Sequence, residues 1–494
     1  MAEWSRREVL RALGVGAATP AIGSLLSACG PRARGAVGPR PGARSPADVR
    51  AHLRDIVTEL GRSYLAPSAL ATMRTRGGAA VDGNARGADR HPETMLVLRV
   101  EGADGRHEQV TNDLSVDGIE RAAAWLRSRA PRDPGARSAE LPAPREFTMP
   151  MTRDPTGLGP NGWLDEVSEL YARGRRVGGS RIVYRGAYLT VDDCHTLHVS
   201  RSGDLLQRVV RARAGLLLVA WTGAAPTADE AGRAGALGLE VMRLEDDALE
   251  AAADRALAQL TAREAPEGAT DVILDPTLAG LLASDALAPA LSAPAWIDGE
   301  SRAASERLIG SPAVSLIDDP TLPAGYGAYF FDDEGHIAAP TTLIDNGSIA
   351  TPMTDAASAA ALRVGRTGNA RRSSATEPAR VYPSNLGFDS GALAMDDLLA
   401  GIDRGLIVEG GLSLRIDPRS WRLVIRAGRA RGVLDGKTTG ARYGAVELRA
   451  TLPALLRAVR GVGDRVEWQP RMFGELATAA GGPALLTRAE VRRG

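Results

Sequence analysis

The chain has 494 residues, which is more than one small domain needs and favours two or three domains. Hydrophobic residues make up 44% of the chain but aromatic residues only 4%, which disfavours a surface on which bases or sugars stack. Sixty basic residues balance sixty acidic ones, so we expect no nucleic-acid partner. Two cysteines exclude a disulfide framework and a Cys-rich zinc or iron–sulfur site.

Residues 1–28 have the features of an export signal. Arg6 and Arg7 precede an uncharged stretch that ends at Leu26-Ser27-Ala28-Cys29, a pattern that resembles a Tat-type signal with a lipobox. The apolar stretch is shorter than the ~20 residues of a spanning helix. We therefore expect export through Tat, lipidation of Cys29 and attachment to the bacterial cell envelope, on its periplasmic side or outer surface. Residues 29–46 are rich in Gly, Pro and Arg and are predicted to form a flexible tether.

Residues 47–264 are predicted to form a mixed α/β domain, because helical and alternating apolar patterns succeed one another. Predicted helices cover residues 47–60, 119–129, 163–173, 228–237 and 245–263. Predicted strands cover residues 95–100, 181–191, 195–212 and 215–222, and residues 131–162 are predicted to be loop or extended chain.

Residues 268–494 are predicted to form a second, mostly β domain, so that the fold class of the whole chain is α+β. Predicted strands cover residues 271–274, 406–415, 423–427, 441–448 and 465–468, and a further helix covers residues 452–459. We expect a long sheet to curl around a helical segment at residues 279–291.

Three segments of the second domain carry a resemblance. The first is Phe331-Asp-Asp-Glu-Gly335, followed by Thr342-Leu-Ile-Asp-Asn-Gly347; the second is Thr367-Gly-Asn-Ala-Arg-Arg372; the third, looser, is Gly405-Leu-Ile407 with residues 413–424. In this order and spacing they resemble the TldD/PmbA family of bacterial metallopeptidases, long called modulators of DNA gyrase. The resemblance covers the chain from about residue 272 onward and the first domain only in its general pattern.

The resemblance implies a helix with His-Glu-x-x-x-His, whose imidazoles bind zinc beside a glutamate general base, and a further cysteine ligand near the C-terminus. The ungapped match places Ser284 and Pro289 at the two histidine positions and Asp285 at the glutamate position. No cysteine follows Cys194. We therefore expect no catalytic residue of the family type and no bound zinc or other metal. Pro289 is expected to shorten or kink the helix.

Two other groups of residues are candidates. The run from Cys194 to His198 is the one place where soft ligands cluster, and a replacement metal site there is conceivable; a structural or exposed turn is favoured, because His195 and His198 would face opposite sides of a strand. Arg371 and Arg372, with Asn369, are candidates for binding a peptide carboxylate or carbonyl, and a structural ion pair is an equal alternative.

The residues and the resemblance together predict a catalytically inactive TldD/PmbA-like protein that binds peptide or forms a homo- or heterodimer with a family subunit carrying an intact zinc motif. One alternative is an active metal-dependent peptidase with a rebuilt site, formed by Asp285 with His336 or by the run from Cys194 to His198. A third is an envelope binding protein with no role in peptide cleavage.

Overall fold

The computed structural model describes residues 44–137, 140–223, 225–374 and 376–494. The predicted signal, Cys29 and most of the predicted tether lie outside the described residues. None of the described helices combines the length and the apolar character needed to span a bilayer.

The N-terminal part is one sheet of seven strands with helices on a single face. Its strands are β1 (Leu65–Asp82), β2 (Arg86–Gly102), β3 (Gly105–Thr111), β4 (Arg145–Thr148), β5 (Ile182–Ser200), β6 (Gly203–Ala220) and β7 (Thr227–Gly235). Its helices are α1 (Pro46–Leu60), α2 (Val116–Arg129), α3 (Gly159–Gly174) and α4 (Asp246–Gln259). The strand order is β3-β2-β1-β5-β6-β4, with β7 also paired to β6.

Alternation along the long strands separates the two faces of this sheet. Ala69 and Ala71 on β1 and Leu197 on β5 point to the side of α1 and α2, where they join a buried apolar core. Their neighbours along the strands, such as Thr72 and Thr196, point to the opposite face, where these two residues are paired. That opposite face meets the C-terminal part of the chain.

The described C-terminal part has three further sheets, of six, seven and two strands. The bounds are β8 (Gly268–Leu274), β9 (Leu316–Asp318), β10 (Thr341–Asp345), β11 (Ser348–Ile349), β12 (Ala370–Arg371), β13 (Arg380–Val381), β14 (Asn385–Phe388), β15 (Arg404–Ile416), β16 (Arg422–Leu434), β17 (Lys437–Tyr443), β18 (Val446–Thr451), β19 (Gly461–Val462), β20 (Glu467–Phe473), β21 (Leu476–Gly482) and β22 (Leu485–Arg493). The helices are α5 (Pro276–Leu281), α6 (Ala288–Ala290), α7 (Ala293–Ile297), α8 (Ala356–Leu362), α9 (Met395–Ala400) and α10 (Leu452–Arg457).

One C-terminal sheet has the order β11-β10-β9-β14-β21-β20, the second has the order β15-β8-β22-β18-β16-β17, and β12 and β13 form the smallest. An additional pairing of β15 with β16 joins the first and fifth strands of the second sheet, so that it curls into a ring. Helix α5 contacts β15 of this ring and β14, β20 and β21 of the six-stranded sheet. The prediction of an α+β fold with a curled sheet beside this helical segment is confirmed.

Several local predictions are wrong. The helix predicted over residues 228–237 is absent, and strand β7 covers most of this range, because β6 pairs with it along its whole length. The run from Cys194 to His198 is not a turn: β5 continues through it, paired with β1 and β6 on both sides. The predicted strand 441–448 is broken between β17 and β18. The predicted domain limits, 47–264 and 268–494, stay a prediction.

Candidate functional site

The helix that carries the three degenerate motif positions begins at Asp275. The Asp275 carboxylate accepts a hydrogen bond from the Leu278 amide at 3.0 Å and so caps α5, and Pro276 follows as its first residue. Burial raises the pKa of Asp275, although the amides of Gly410 and Leu278 and the Thr277 hydroxyl act against that shift. These bonds also fix the helix start to strand β15.

A π-helical turn over Leu282–Leu287 interrupts the α-helix at the motif positions. The Ala288 amide donates to the Ala283 carbonyl oxygen, five residues earlier. In an i→i+5 turn the chain returns to the same face after about five residues. Ser284 and Pro289 are five positions apart, so the π turn brings these two positions to the same face of the helix. Two metal ligands at these positions would suit one ion, but neither the serine nor the proline side chain is such a ligand. The helix ends at Ala290, one residue after Pro289, as expected of a shortened helix.

Asp285, which the resemblance matches to the general base of the family, is held by two partners. Asp285 Oδ1 accepts a hydrogen bond from Ser284 Oγ at 2.5 Å and lies 2.5 Å from Arg471 Nη2. Arg471 belongs to the edge strand β20, and its side chain and that of Asp285 are 29% and 24% exposed. A fixed guanidinium thus provides the positive charge beside Asp285.

The residues present do not fit the zinc ion that the family resemblance implies. Pro289 has no donor atom, Ser284 is 3% exposed and offers a hydroxyl, and the Asp285 carboxylate is engaged by Arg471. Zinc in proteins is bound by thiolate, imidazole and carboxylate groups, about four in a structural site and three in a catalytic one. Among the residues that the structure describes, no three His, Cys, Asp or Glu side chains are grouped to hold a metal ion.

The first two family motifs form one hydrogen-bonded unit. Asp332 is 2% exposed, and its carboxylate accepts the amides of Glu334, His336 and Ala370. Asp333 accepts the Arg372 amide at 2.7 Å and so ties the first motif to the second. Burial raises the pKa of Asp332 to about 7. The acidic residues of this turn therefore organise backbone, and each has its partners within the chain.

Asn369 lies at the centre of this unit. It is fully buried, its amide nitrogen donates to Asp318 Oδ2 at 2.7 Å and to the Tyr382 carbonyl, and its oxygen accepts from the Thr367 hydroxyl. All of its side-chain hydrogen-bonding groups are thus engaged within the chain. A peptide contact by Asn369 stays a prediction, and in this arrangement the residue joins three segments of the fold.

The two arginines of the second motif differ. Arg372 is ion-paired with Glu108 on β3 at 2.8 Å and donates to the Glu377 carbonyl. This is the structural ion pair that the sequence offered as the alternative to a peptide contact. Arg371 donates to the carbonyls of Pro383 and Ala477 and forms no salt bridge among the described residues. A contact between either arginine and a peptide stays a prediction. Among the described residues Arg371 has unused donors at Nε and Nη2, whereas Arg372 has one only at Nε.

The histidines of the alternative metal sites do not converge. His195 and His198 lie on opposite faces of β5, as the alternation rule requires. His195 is near Asp193, at 3.9 Å, whereas His198 is buried against the C-terminal part. His336 donates its amide to Asp332, and no described contact joins it to Asp285.

Arg471 was not identified from the sequence. It lies 186 residues from Asp285 and is brought to it only by the pairing of β20 with β21 beside α5. An arginine in a chain with sixty basic residues gives no local signal of such a contact.

Comparisons with known proteins agree with the motifs. Residues 267–491 match the family model of the PmbA/TldA metallopeptidase C-terminal domain. A metalloprotease of Methanothermobacter thermautotrophicus is 29% identical over 46% of this chain and 50% of its own length, and one of Methanocaldococcus jannaschii is 32% identical over 37% and 42%. The chain thus spans about half the length, or less, of these curated relatives.

Solved structures share nearly the whole fold. TldE from Thermococcus kodakarensis superposes with a TM-score of 0.72 over 90% of this chain and 100% of that one, at 18% identity. A putative modulator of a DNA gyrase from Thermotoga maritima gives a TM-score of 0.71 over 91% and 100%, at 17% identity. The resemblance to the TldD/PmbA family is therefore supported by the C-terminal sequence and by the fold.

Proposed function

We propose that this chain is a TldD/PmbA-family protein that does not cleave peptides by itself and acts as the peptide-binding or partner subunit of an active zinc peptidase. The observation that carries the proposal is the contact of Arg471 with Asp285, since it places a guanidinium at the carboxylate that would serve as general base. The family scaffold is retained around a helix that has lost its metal ligands.

Electrostatics favour this state over a weak metal site. A divalent cation approaching Asp285 would meet a positive charge 2.5 Å from the carboxylate oxygen. Like charges at such separations repel by at least ~1 kcal/mol even in water and by more in a half-buried place. No imidazole or thiolate at the motif positions compensates for that repulsion.

A partner role is supported because the fold is kept whereas the motif positions carry no zinc ligands. The fold is similar to that of TldE over the full length of that protein, and curated metalloproteases, including TldD homologues, resemble the C-terminal part. A chain that keeps the architecture without the ligands is suited to complete a shared chamber in a homo- or heterodimer. The active subunit would then carry out hydrolysis of unfolded peptides.

The proposed location is the bacterial cell envelope, with the protein exported through Tat and held by lipid on Cys29. The twin arginine and the lipobox-like sequence support it. A Cys29→Ala variant expressed in a bacterium with both pathways should lose fatty-acid labelling and leave the membrane fraction. Unchanged labelling would contradict lipidation at this residue.

The test of the function is metal analysis and peptide hydrolysis, alone and with a partner. Purified protein should contain no stoichiometric zinc and should not cleave an unstructured peptide. Adding a family subunit with an intact His-Glu-x-x-x-His motif should produce a stable complex that is active. About one zinc per chain, lost together with peptidase activity on chelation, would overturn the proposal. His195→Ala and His198→Ala variants would then show whether a rebuilt site is responsible.

A further inference from the structure

A cavity of about 130 Å³ lies between the open face of the N-terminal sheet and the motif loops of the C-terminal part. Strand register builds its floor, because Thr72 on β1 is paired with Thr196 on β5, and Cys194 and Arg211 follow on the same face. Tyr329, Arg371 and Ala477 line the opposite wall. The cavity is therefore walled by both halves of the chain.

Arg371 is placed in this wall by contacts that leave part of its guanidinium free. The side chain stacks over Tyr329, with 4.5 Å between the guanidinium carbon and the ring centroid. Its Nη1 donates to the Ala477 carbonyl at 3.2 Å. Within the described residues, Nε and Nη2 have no acceptor and the group forms no salt bridge. The residue is 7% exposed, and its charge acts on the buried carboxyl groups of Asp318 and Asp333 without forming a salt bridge with either.

Arg211 provides a second guanidinium of the same kind. It is 7% exposed and donates to the carbonyls of Tyr326 and Ala328 at 2.8 and 2.7 Å, and no described carboxylate forms a salt bridge with it. Burial lowers the pKa of Arg211. The negative charge of Asp192 acts against this shift, and the positive charge of Arg371 adds to it. The two arginines are thus close enough to repel one another, while Asp192 is already held by Arg74 through two bonds.

The acidic residues around the cavity have partners elsewhere. Asp332 and Asp333 accept backbone amides, and burial raises the pKa of each. Glu93 and Glu475 at the outer wall are ion-paired with Arg76. In addition, Nε of the 94%-buried Arg372 has no hydrogen-bond partner. The charges of Arg371 and Arg372 act against burial at Asp333, and Arg372 is ion-paired with Glu108, but no described carboxylate forms a salt bridge with Arg371 or Arg211. Buried charges in proteins are normally paired directly, so these two guanidinium groups are open to an anion.

We infer that this cavity binds a small carboxylate, whose two oxygens accept hydrogen bonds from the free N–H groups of Arg371 and Arg211. Charge-assisted bonds of this kind are roughly twice as strong as neutral ones and fix the orientation of a planar anion. A cavity of about 150 Å³ holds a benzene-sized molecule, so a ligand of about six non-hydrogen atoms fits here. A free amino acid and the last residue of a peptide share this chemistry. The inference is independent of the proposed partner role.

The experiment uses the full chain and a matched pair of probes. Propionate and propionamide have the same size and differ in charge, and their binding is measured by titration calorimetry. The rate at which a small methanethiosulfonate reagent labels Cys194 is a second readout, taken in a Cys29→Ser background in which Cys194 is the single thiol. We expect propionate to bind with a dissociation constant in the millimolar range or below and to slow labelling at least fivefold, and propionamide to do neither.

Two variants locate the binding. Arg371→Lys keeps the positive charge but loses the planar guanidinium group that can donate two parallel hydrogen bonds, and should weaken propionate binding about tenfold. Thr72→Leu fills the floor of the cavity without replacing an arginine, and should abolish binding even if the arginine variant fails to fold.

Equal binding of the two probes, no binding of propionate, or binding unaffected by Thr72→Leu would overturn the inference. Alanine and trialanine then identify the source, since whichever binds more tightly indicates a free amino acid or a peptide terminus. These results do not depend on zinc content or peptidase activity.

Discussion

The imidazole ring of His198, on strand β5, packs directly against the α-carbon of Gly335 in the turn that begins at Asp332. Gly335 has a φ of +76°, and a Cβ atom added to it would overlap the ring. Glycine is thus required here both by the left-handed backbone and by the close approach of a side chain. The contact joins the N-terminal sheet to the first family motif.

We expect Gly335→Ala to destabilise the protein by about 2–5 kcal/mol. Left-handed backbone costs a non-glycine residue ~1–2 kcal/mol, and overpacking a filled site costs ~1–3 kcal/mol more. Urea unfolding of both proteins measures the difference. Gly179→Ala is the matched control, because Gly179 has a φ of +61° but open space where its Cβ would lie. Equal losses in the two variants would show that the contact with His198 contributes nothing.

His198 also predicts a loss of stability in acid. Burial lowers its pKa to about 4, and the charges of Arg99 and Arg366 act in the same direction. In the unfolded chain a histidine titrates near 6.5, so below that pH the unfolded state binds more protons than the folded one. The free energy of unfolding should fall by about 2 kcal/mol from pH 7 to pH 4.5 through this residue alone.

The contribution of His198 is isolated by comparison with His198→Gln, which cannot titrate. Asp332 works in the opposite sense: its pKa is raised to about 7, so the stability it contributes is present at low pH and is lost as the pH rises from about 4 to about 7. Both proteins share this effect. From pH 7 to pH 4.5 the contribution of Asp332 raises the free energy of unfolding in both proteins, and only in the wild type does His198 act against that rise. The wild type should therefore gain about 2 kcal/mol less than the variant over this pH range. The same pH dependence in both would contradict the assignment.

Sequence patterns predicted those elements whose signal is local. Helix α1 begins with a Ser45 cap and ends where its apolar spacing ends, and the acidic 331–335 motif forms a turn. The prediction of a helix over residues 228–237 was wrong because alanine favours helix, and only pairing with β6 makes this stretch a strand. The prediction of a turn from Cys194 to His198 was wrong for a similar reason, because pairing with β1 and β6 keeps this run in strand β5.

Little of the geometry of the candidate site could be predicted from the sequence. Ser284, Asp285 and Pro289 can be read from it, whereas the π turn and the partner of Asp285 depend on how distant strands pack. Likewise the cavity needs the register of four strands and two loops more than 100 residues away. Contacts between residues so far apart in the sequence produce no periodic pattern from which they could be predicted.

A buried ion pair in the N-terminal part predicts a large effect of a single arginine. Arg50 Nε on α1 lies 2.6 Å from Oδ1 of Asp204, whose side chain has no exposed surface. Arg50→Ala leaves that carboxylate with Arg54 alone and should cost about 3 kcal/mol in chemical unfolding. Arg127→Ala is the control, because its 2.9 Å pair with Glu59 is largely exposed and should cost less than about 1 kcal/mol. Similar costs would contradict the importance of burial.

Restoring ligands to the degenerate helix tests the role of Arg471. In the triple variant Ser284→His, Pro289→His, Arg471→Ala, the π turn directs two imidazoles toward one face, and the neighbouring Asp285 carboxylate loses its cationic partner. Two imidazoles bind zinc and an unpaired carboxylate beside them attracts it, so we expect about one zinc per chain with micromolar affinity. At 100 times the dissociation constant, zinc should add about 2.7 kcal/mol of stability, measured as a rise in Tm.

The control is the double variant that keeps Arg471. Its guanidinium still occupies the Asp285 oxygen and repels the incoming cation, so zinc should bind at least tenfold more weakly than in the triple variant. Equal zinc affinity with and without Arg471 would show that the ion pair does not exclude metal. The loss of the histidines alone would then account for the proposed absence of zinc, and Arg471 would be a neighbour of the site with no influence on it.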